Sequence, residues 1–147
     1  MVNVIIITRG NLGEKILETT ISLLGNQEYV NISAYSILPD SDPEILKELI
    51  LNKIHNWDNK EGVLITTGMC GGTACNIALS VLKELEKENI KCEIISGLNL
   101  YMMVSILTKR NNLSIEDLVQ QAINDGRKSI TDVKSYFLQK KGENNNE

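Results

Sequence analysis

The 147-residue chain is 42% hydrophobic and 23% charged, the balance of a soluble globular protein, and its length predicts one domain around one core. A net charge of −4 with no dense basic block gives no electrostatic footprint for nucleic acid or an anionic membrane. Cys70, Cys75 and Cys92 are an odd count in a cysteine-poor chain, which argues against a disulfide scaffold and for a reducing compartment, the cytoplasm.

Val2 to Thr8 is a largely β-branched run ending at Gly10, the pattern of a strand buried on both faces of a parallel sheet, and it is too short and lacks the basic flank of a signal peptide. Asn11 is placed to cap a helix whose apolar positions Leu12, Ile16, Leu17, Ile21 and Leu24 recur at helical spacing until Gly25-Asn26. Val30 to Leu38 alternates like a second strand before the turn Pro39 to Pro43. Pro43 then opens a helix, capped by Ser41 or Asp42 and carrying Ile45, Leu46, Leu49, Ile50 and Ile54.

Gly62 to Thr67 reads as a third strand, buried like the first, followed by the glycine-rich turn Gly68 to Thr73 and a helix over Ala74 to Asn89. Lys91 to Ser96 is the fourth strand. Gly97-Leu98-Asn99-Leu100 begins a short apolar helix through Leu107, in which Met102, Met103, Ile106 and Leu107 suit core packing better than a ligand stripe, with a share of a dimer interface open to them. Ser114 to Asp117 caps a further helix with Leu118, Val119 and Ile123 on its apolar face. Val133 to Leu138 is predicted as a final strand. The domain thus covers 1–138, and 139–147 reads as a frayed polar tail. The alternation predicts an α/β fold: a doubly wound, mostly parallel four-stranded sheet with helices on both faces. Ligands of such sheets bind at the carboxyl ends of the strands, which directs attention to Thr8–Leu12, Thr67–Asn76 and Gly97–Asn99.

Gly68-Met69-Cys70-Gly71-Gly72-Thr73 between a strand and a helix lets backbone N–H groups converge where the helix dipole favours an anion, with the Thr73 hydroxyl as a further donor. The lysine of a P-loop and the spacing of a dinucleotide fingerprint are both missing. The bland alternative is that Gly71 and Gly72 serve only a tight turn and close helix–sheet packing.

Ile5-Ile6-Ile7-Thr8-Arg9-Gly10-Asn11-Leu12 resembles an opening strand followed by Thr/Ser-His-Gly-x-Leu in the mannose-family IIA domains of the bacterial sugar phosphotransferase system (PTS). Val63 to Asn76 is similar to that family's strand, Asp, two apolar residues, Gly-Gly-Ser/Thr and Pro-Phe-Asn, and Ile94 to Leu100 resembles its Val-Thr-Gly-Val-Asn-Leu-Pro. The resemblance implies a histidine that takes a phosphoryl group from the phosphocarrier HPr and passes it to a IIB domain, oriented by an aspartate at the end of the third strand. By position the histidine is Arg9 and the aspartate Gly68, whereas Gly71, Gly72, Thr73, Asn76, Gly97 and Asn99 match. A guanidinium has no free lone pair near neutral pH with which to attack phosphorus, so Arg9 does not replace the nucleophile.

With no carboxylate at Gly68 to occupy it, Arg9 is left to bind an anion, together with Gly71, Gly72, Thr73, Asn76 and Asn99. The ligand would be a phosphorylated or carboxylated metabolite, or a partner's phosphohistidine. The function expected is a IIA-like component that is degenerate in phosphotransfer and acts as a regulatory binding protein. The rival is an active phosphocarrier using another acceptor such as Cys70, a thiol just before a helix start. Cys70 and Cys75 also match apolar family positions, which favours a packing role. A third reading, the phosphoryl donor subunit of dihydroxyacetone kinase, needs the same missing histidine, and Arg9 as a relic surface charge is the bland one. No cofactor or metal is expected, and His55 reads as structural or solvent-facing. The implied partners are HPr or a IIB-type protein, membrane association only through permease partners, and a second copy in a homodimer that exchanges the C-terminal strand.

Overall fold

The computed structural model describes residues 1–145. Four strands, β1 (Asn3–Arg9), β2 (Ile32–Ile37), β3 (Val63–Thr67) and β4 (Cys92–Ser96), form one sheet in the order β2-β1-β3-β4. Every pairing is parallel, with Ile5 opposite Ser33 and Ile65, and Ile65 opposite Ile94. The two central strands are the continuous apolar runs of the sequence: Val4 to Ile7 and Val63 to Ile65 are fully buried. The edge strands β2 and β4 are only partly covered, and β2 is half-buried along its length, with Ile32 and Ala34 against one layer of the core and Tyr35 and Ile37 against the other.

Successive side chains of a strand point to opposite faces, so the sheet divides the core in two. Val4, Ile6, Leu64 and Ile95 pack under α1 (Leu12–Leu23), α4 (Leu100–Lys109) and α5 (Ile115–Lys128), where Met102, Met103, Ile106 and Leu118 meet them. Ile5, Ile7, Val63 and Ile65 pack under α2 (Pro43–His55) and α3 (Thr73–Lys87), against Ile50, Ile54, Ala78, Val81 and Leu85. Burial of each large aliphatic side chain contributes about 1.5–3 kcal/mol before entropy is subtracted. The methionines on α4 are therefore core residues.

Asp42 caps α2, its side chain accepting the Glu44 N–H at 2.9 Å, with Pro43 at the first helical position. Ser114 accepts from Asp117 N at 3.1 Å at the start of α5. Asn11 does not cap α1 through its side chain. Thr8, at the end of β1, reaches the helix instead and accepts the Gly13 N–H at 2.8 Å. On α2, Ile45 and Leu49 of the predicted apolar face are 61% and 54% exposed, while Leu51 is buried. The core covers an arc centred on Ile50, Leu51 and Ile54, with Leu46 at its margin.

The predicted strand Val133–Leu138 is a helix, α6 (Val133–Asn145), with no buried residue. Only one residue of that segment is β-branched, and its contacts are helical ones. Asp132 accepts from Ser135 N at 3.1 Å, Lys140 Nζ lies 4.9 Å from the Tyr136 ring centre, and Lys141 Nζ lies 5.2 Å from that of Phe137. Positions 139–145 of the predicted polar tail are the later turns of this helix, and 146–147 lie outside the described residues. No described helix is long and apolar enough to cross a membrane.

Candidate functional site

The order β2-β1-β3-β4 places the chain's change of direction between β1 and β3, and a crevice opens there at the carboxyl ends of the strands. It is a cleft of about 520 Å³, within the usual range for small-molecule sites. Thr8 and Arg9 enter it from β1, Gly68 and Met69 from the end of β3, and Gly72, Thr73 and Ala74 from the start of α3. The β2–α2 connection supplies the remaining wall, from Ile37 through Pro39 and Ser41 to Pro43, and Leu12 stands at the start of α1.

Arg9 is exposed and continues the face of β1 that carries Ile5 and Ile7, the face covered by α2 and α3. Six ion pairs occur among the described residues, and none involves Arg9. Gly10 follows at φ +60°, turning the chain directly into α1. Gly72 is the N-cap of α3 and has no side chain to accept the first-turn N–H groups. Those donors and the positive end of the helix dipole therefore face the cleft beside Thr73. Gly71, at φ +85°, makes the turn that brings Gly72 and Thr73 into place.

At Gly68 a Cβ would meet nothing nearer than Leu12 Cδ2 at 3.7 Å, so glycine is not required there for space. The loop after β4 is tied to the same region by Gly97 N to Gly68 O at 3.2 Å and Leu98 N to Thr67 O at 3.1 Å. The Thr66 and Thr67 hydroxyls, next to Gly68, are buried without a hydrogen-bond partner among the described residues.

The structure thus gathers Arg9, Gly68, Gly72 and Thr73 around one cleft. Asn76 borders a smaller adjoining groove of about 310 Å³ that shares Pro43 and Thr73 with it and includes Lys47 and Ser80. Asn99 borders neither. It caps α4 by accepting Met102 N at 2.9 Å, and its amide lies 3.4 Å from Gly126 O on α5. Cys70 is exposed in the loop before α3 but lines neither cleft, while Cys75 is buried and Cys92 half-buried. Burial, reinforced by Glu93 and Glu86, pushes the Cys92 thiol up to about 12. His55 sits at the far end of α2, 2.7 Å from Glu88. No group of three or more potential metal ligands occurs among the described residues.

The apolar wall from Ile37 to Pro43 was not among the sequence candidates. Its only signal was the Pro39–Pro43 turn, which reads equally well as a connection.

The domain is an open parallel α/β sheet whose switch-point crevice joins a strand-end cation to a glycine-led helix start. A family model described as the PTS system fructose IIA component matches residues 3–123, and the chain belongs to this family of PTS IIA components. Over 138 residues it is 30% identical to the PTS system mannose-specific EIIAB component of Escherichia coli K12, covering 93% of this chain. The chain spans 41% of the length of that relative. Among solved structures, component EIIA from Streptococcus agalactiae superposes with a TM-score of 0.81 at 21% identity, covering 92% of this chain and 99% of that one. The mannose/sorbose-specific IIA subunit from Enterococcus faecalis gives a TM-score of 0.72 at 18% identity, covering 88% and 92%. Both share its fold.

Proposed function

We propose that this chain is a PTS IIA-like component that has lost phosphotransfer at the position implied by the resemblance and instead binds an anion at Arg9. The observation that carries the reading is Arg9 itself: a guanidinium without an ion-pair partner among the described residues, in the same cleft as the open N-terminal turn of α3 and as Gly68. An aspartate at 68 would place a carboxylate in that cleft to compete for the cation. Glycine leaves the fork of donors to an external phosphate or carboxylate, with Thr73 and the N–H groups of Gly71 to Thr73 completing the cradle. The ligand is a small anionic metabolite or the phosphohistidine of a partner such as HPr or a IIB-type protein. The exposed Val133, Tyr136, Phe137 and Leu138 of α6 support a homodimer, formed through a helix rather than an exchanged strand.

Isothermal titration with phosphate, phosphoenolpyruvate and sugar phosphates tests the anion site, and absence of binding at millimolar ligand would overturn it. Incubation with phosphoenolpyruvate, enzyme I and HPr, followed by intact mass measurement, tests the lost chemistry. The unmodified chain is expected to stay unlabelled and Arg9→His/Gly68→Asp to gain one phosphate. A second reading rests on the exposure of Cys70 beside the start of α3, which leaves its sulfur accessible to a donor. Labelling of the unmodified chain that disappears in Cys70→Ser would establish that reading in place of the first.

A further inference from the structure

The cleft that holds Arg9 has few polar side chains. Its polar side chains are Thr8, Arg9, Ser41 and Thr73. The Thr8 hydroxyl is committed, accepting the Gly13 N–H at 2.8 Å and donating to Gly10 O at 3.4 Å, whereas the Ser41 hydroxyl accepts the Leu38 N–H at 2.9 Å and keeps its O–H to donate. What remains for a ligand is the Arg9 guanidinium, the O–H groups of Ser41 and Thr73 and the first-turn N–H groups of α3, donors suited to an anion. Apart from Gly68 and Gly72, the rest of the lining is apolar: Leu12, Ile37, Leu38, Pro39, Pro43, Met69 and Ala74. Leu38 and Met69 remain 53% and 76% exposed, an apolar surface available for burial.

We infer that the ligand of this cleft is a small anion with an apolar body, such as an aryl or branched-alkyl phosphate or carboxylate, rather than a sugar phosphate. The inference rests on the anion-binding reading of Arg9 and adds the chemistry of the other end of the molecule. A sugar phosphate carries several hydroxyls, each needing a hydrogen-bond partner once desolvated, and among the described residues no carboxylate or carboxamide lines this cleft to accept from them. An aryl or alkyl body has no such demand and covers Leu38, Pro39 and Met69 while the anionic group meets Arg9. A cleft of about 520 Å³ accommodates both groups in one molecule.

Titration of the full chain with inorganic phosphate, glucose 6-phosphate and phenyl phosphate separates the outcomes. Phenyl phosphate is expected to bind at least about tenfold more tightly than inorganic phosphate, and glucose 6-phosphate no more tightly than inorganic phosphate. Leu38→Asn and Met69→Ser, both at exposed positions, are expected to narrow the gap between phenyl phosphate and phosphate. Arg9→Met is expected to abolish binding of all three. Equal affinity for phenyl phosphate and phosphate would overturn the inference while leaving the anion site standing, and would assign the apolar rim to a protein partner. Tighter binding of glucose 6-phosphate than of phenyl phosphate would also overturn it. If none of the three binds, the anion-binding reading itself falls.

Discussion

The Thr8 hydroxyl accepts the Gly13 N–H across 2.8 Å, so the end of β1 caps the helix that follows it. Arg9 and Gly10 sit between the two partners. The bond therefore fixes the short loop that presents Arg9, and the same threonine borders the cleft. A Cβ on Gly13 would stand 2.5 Å from Ile6 Cγ2 and 3.1 Å from Thr8 Cγ2, so α1 lies against the strand as closely as a glycine allows.

Two substitutions test this junction. Thr8→Val keeps the shape but strands the Gly13 N–H and should cost about 1–2 kcal/mol, with Thr8→Ser recovering most of it. Gly13→Ala gains helix propensity but overpacks against Ile6, for a net loss of about 1–3 kcal/mol. Urea denaturation followed by circular dichroism reads both.

Asp125 on α5 accepts from Ser105 at 2.6 Å, Lys109 at 2.7 Å and Gln121 at 3.0 Å, binding α5 to α4. The hydrogen bond from Lys109, then that from Ser105, lowers its carboxyl from 3.8 to about 2. A depressed folded-state value means that this stabilisation is complete above pH 3.8 and is lost as pH falls through about 2. Asp125→Asn should cost about 1 kcal/mol at neutral pH, since Lys109 is partly solvated, and the difference from the unmodified chain should close across that acid window. Urea midpoints measured from about pH 5 down to about pH 2 check it.

Arg110 is 2% exposed and has no carboxylate partner among the described residues, and its guanidinium donates to the carbonyls of Val30 and Asn31 just before β2. Burial lowers its pKa, the sign of an incompletely compensated charge. Arg110→Ala leaves a cavity and two freed carbonyls and should cost about 2–4 kcal/mol. Arg110→Met refills the space and removes the desolvated charge, so it should cost about half as much. Chemical denaturation of the two variants side by side distinguishes packing from charge as the reason for the residue.

The central strands and the site loops were legible because a run such as Val4 to Ile7 has only one economical place in a parallel sheet, and because glycines before a helix limit what the turn can be. Arg110 carried no signal: beside Lys109 in a polar turn it looks like solvated charge, and only the path of the chain back to Asn31 buries it. Val133 to Leu138 failed for the opposite reason. Six apolar-rich residues are ambiguous in period, and the deciding contacts, Lys140 on Tyr136 and Lys141 on Phe137, involve side chains beyond the predicted strand. Motif position points Asn99 toward the ligand, yet the cap it provides to α4 is sufficient reason for an asparagine there.

Gly68→Asp separates the roles of cation and cleft. The position has an ordinary backbone conformation and open space, since a Cβ there would lie 3.7 Å from Leu12 Cδ2 and 3.9 Å from Thr8 Cγ2. The fold should therefore be unaffected within about 0.5 kcal/mol. The new carboxylate shares the cleft with Arg9 and competes with external anions for the guanidinium. Affinity for phosphate should fall about tenfold, as expected for an internal competitor offsetting roughly 1.4 kcal/mol of binding. Gly68→Asn, similar in shape but uncharged, should lose much less. Titration of both variants with phosphate at low and high salt reads the difference. Equal losses in the two would mean that the side chain blocks the cleft by bulk, whereas loss confined to the aspartate would identify Arg9 as the group whose charge the missing carboxylate leaves available.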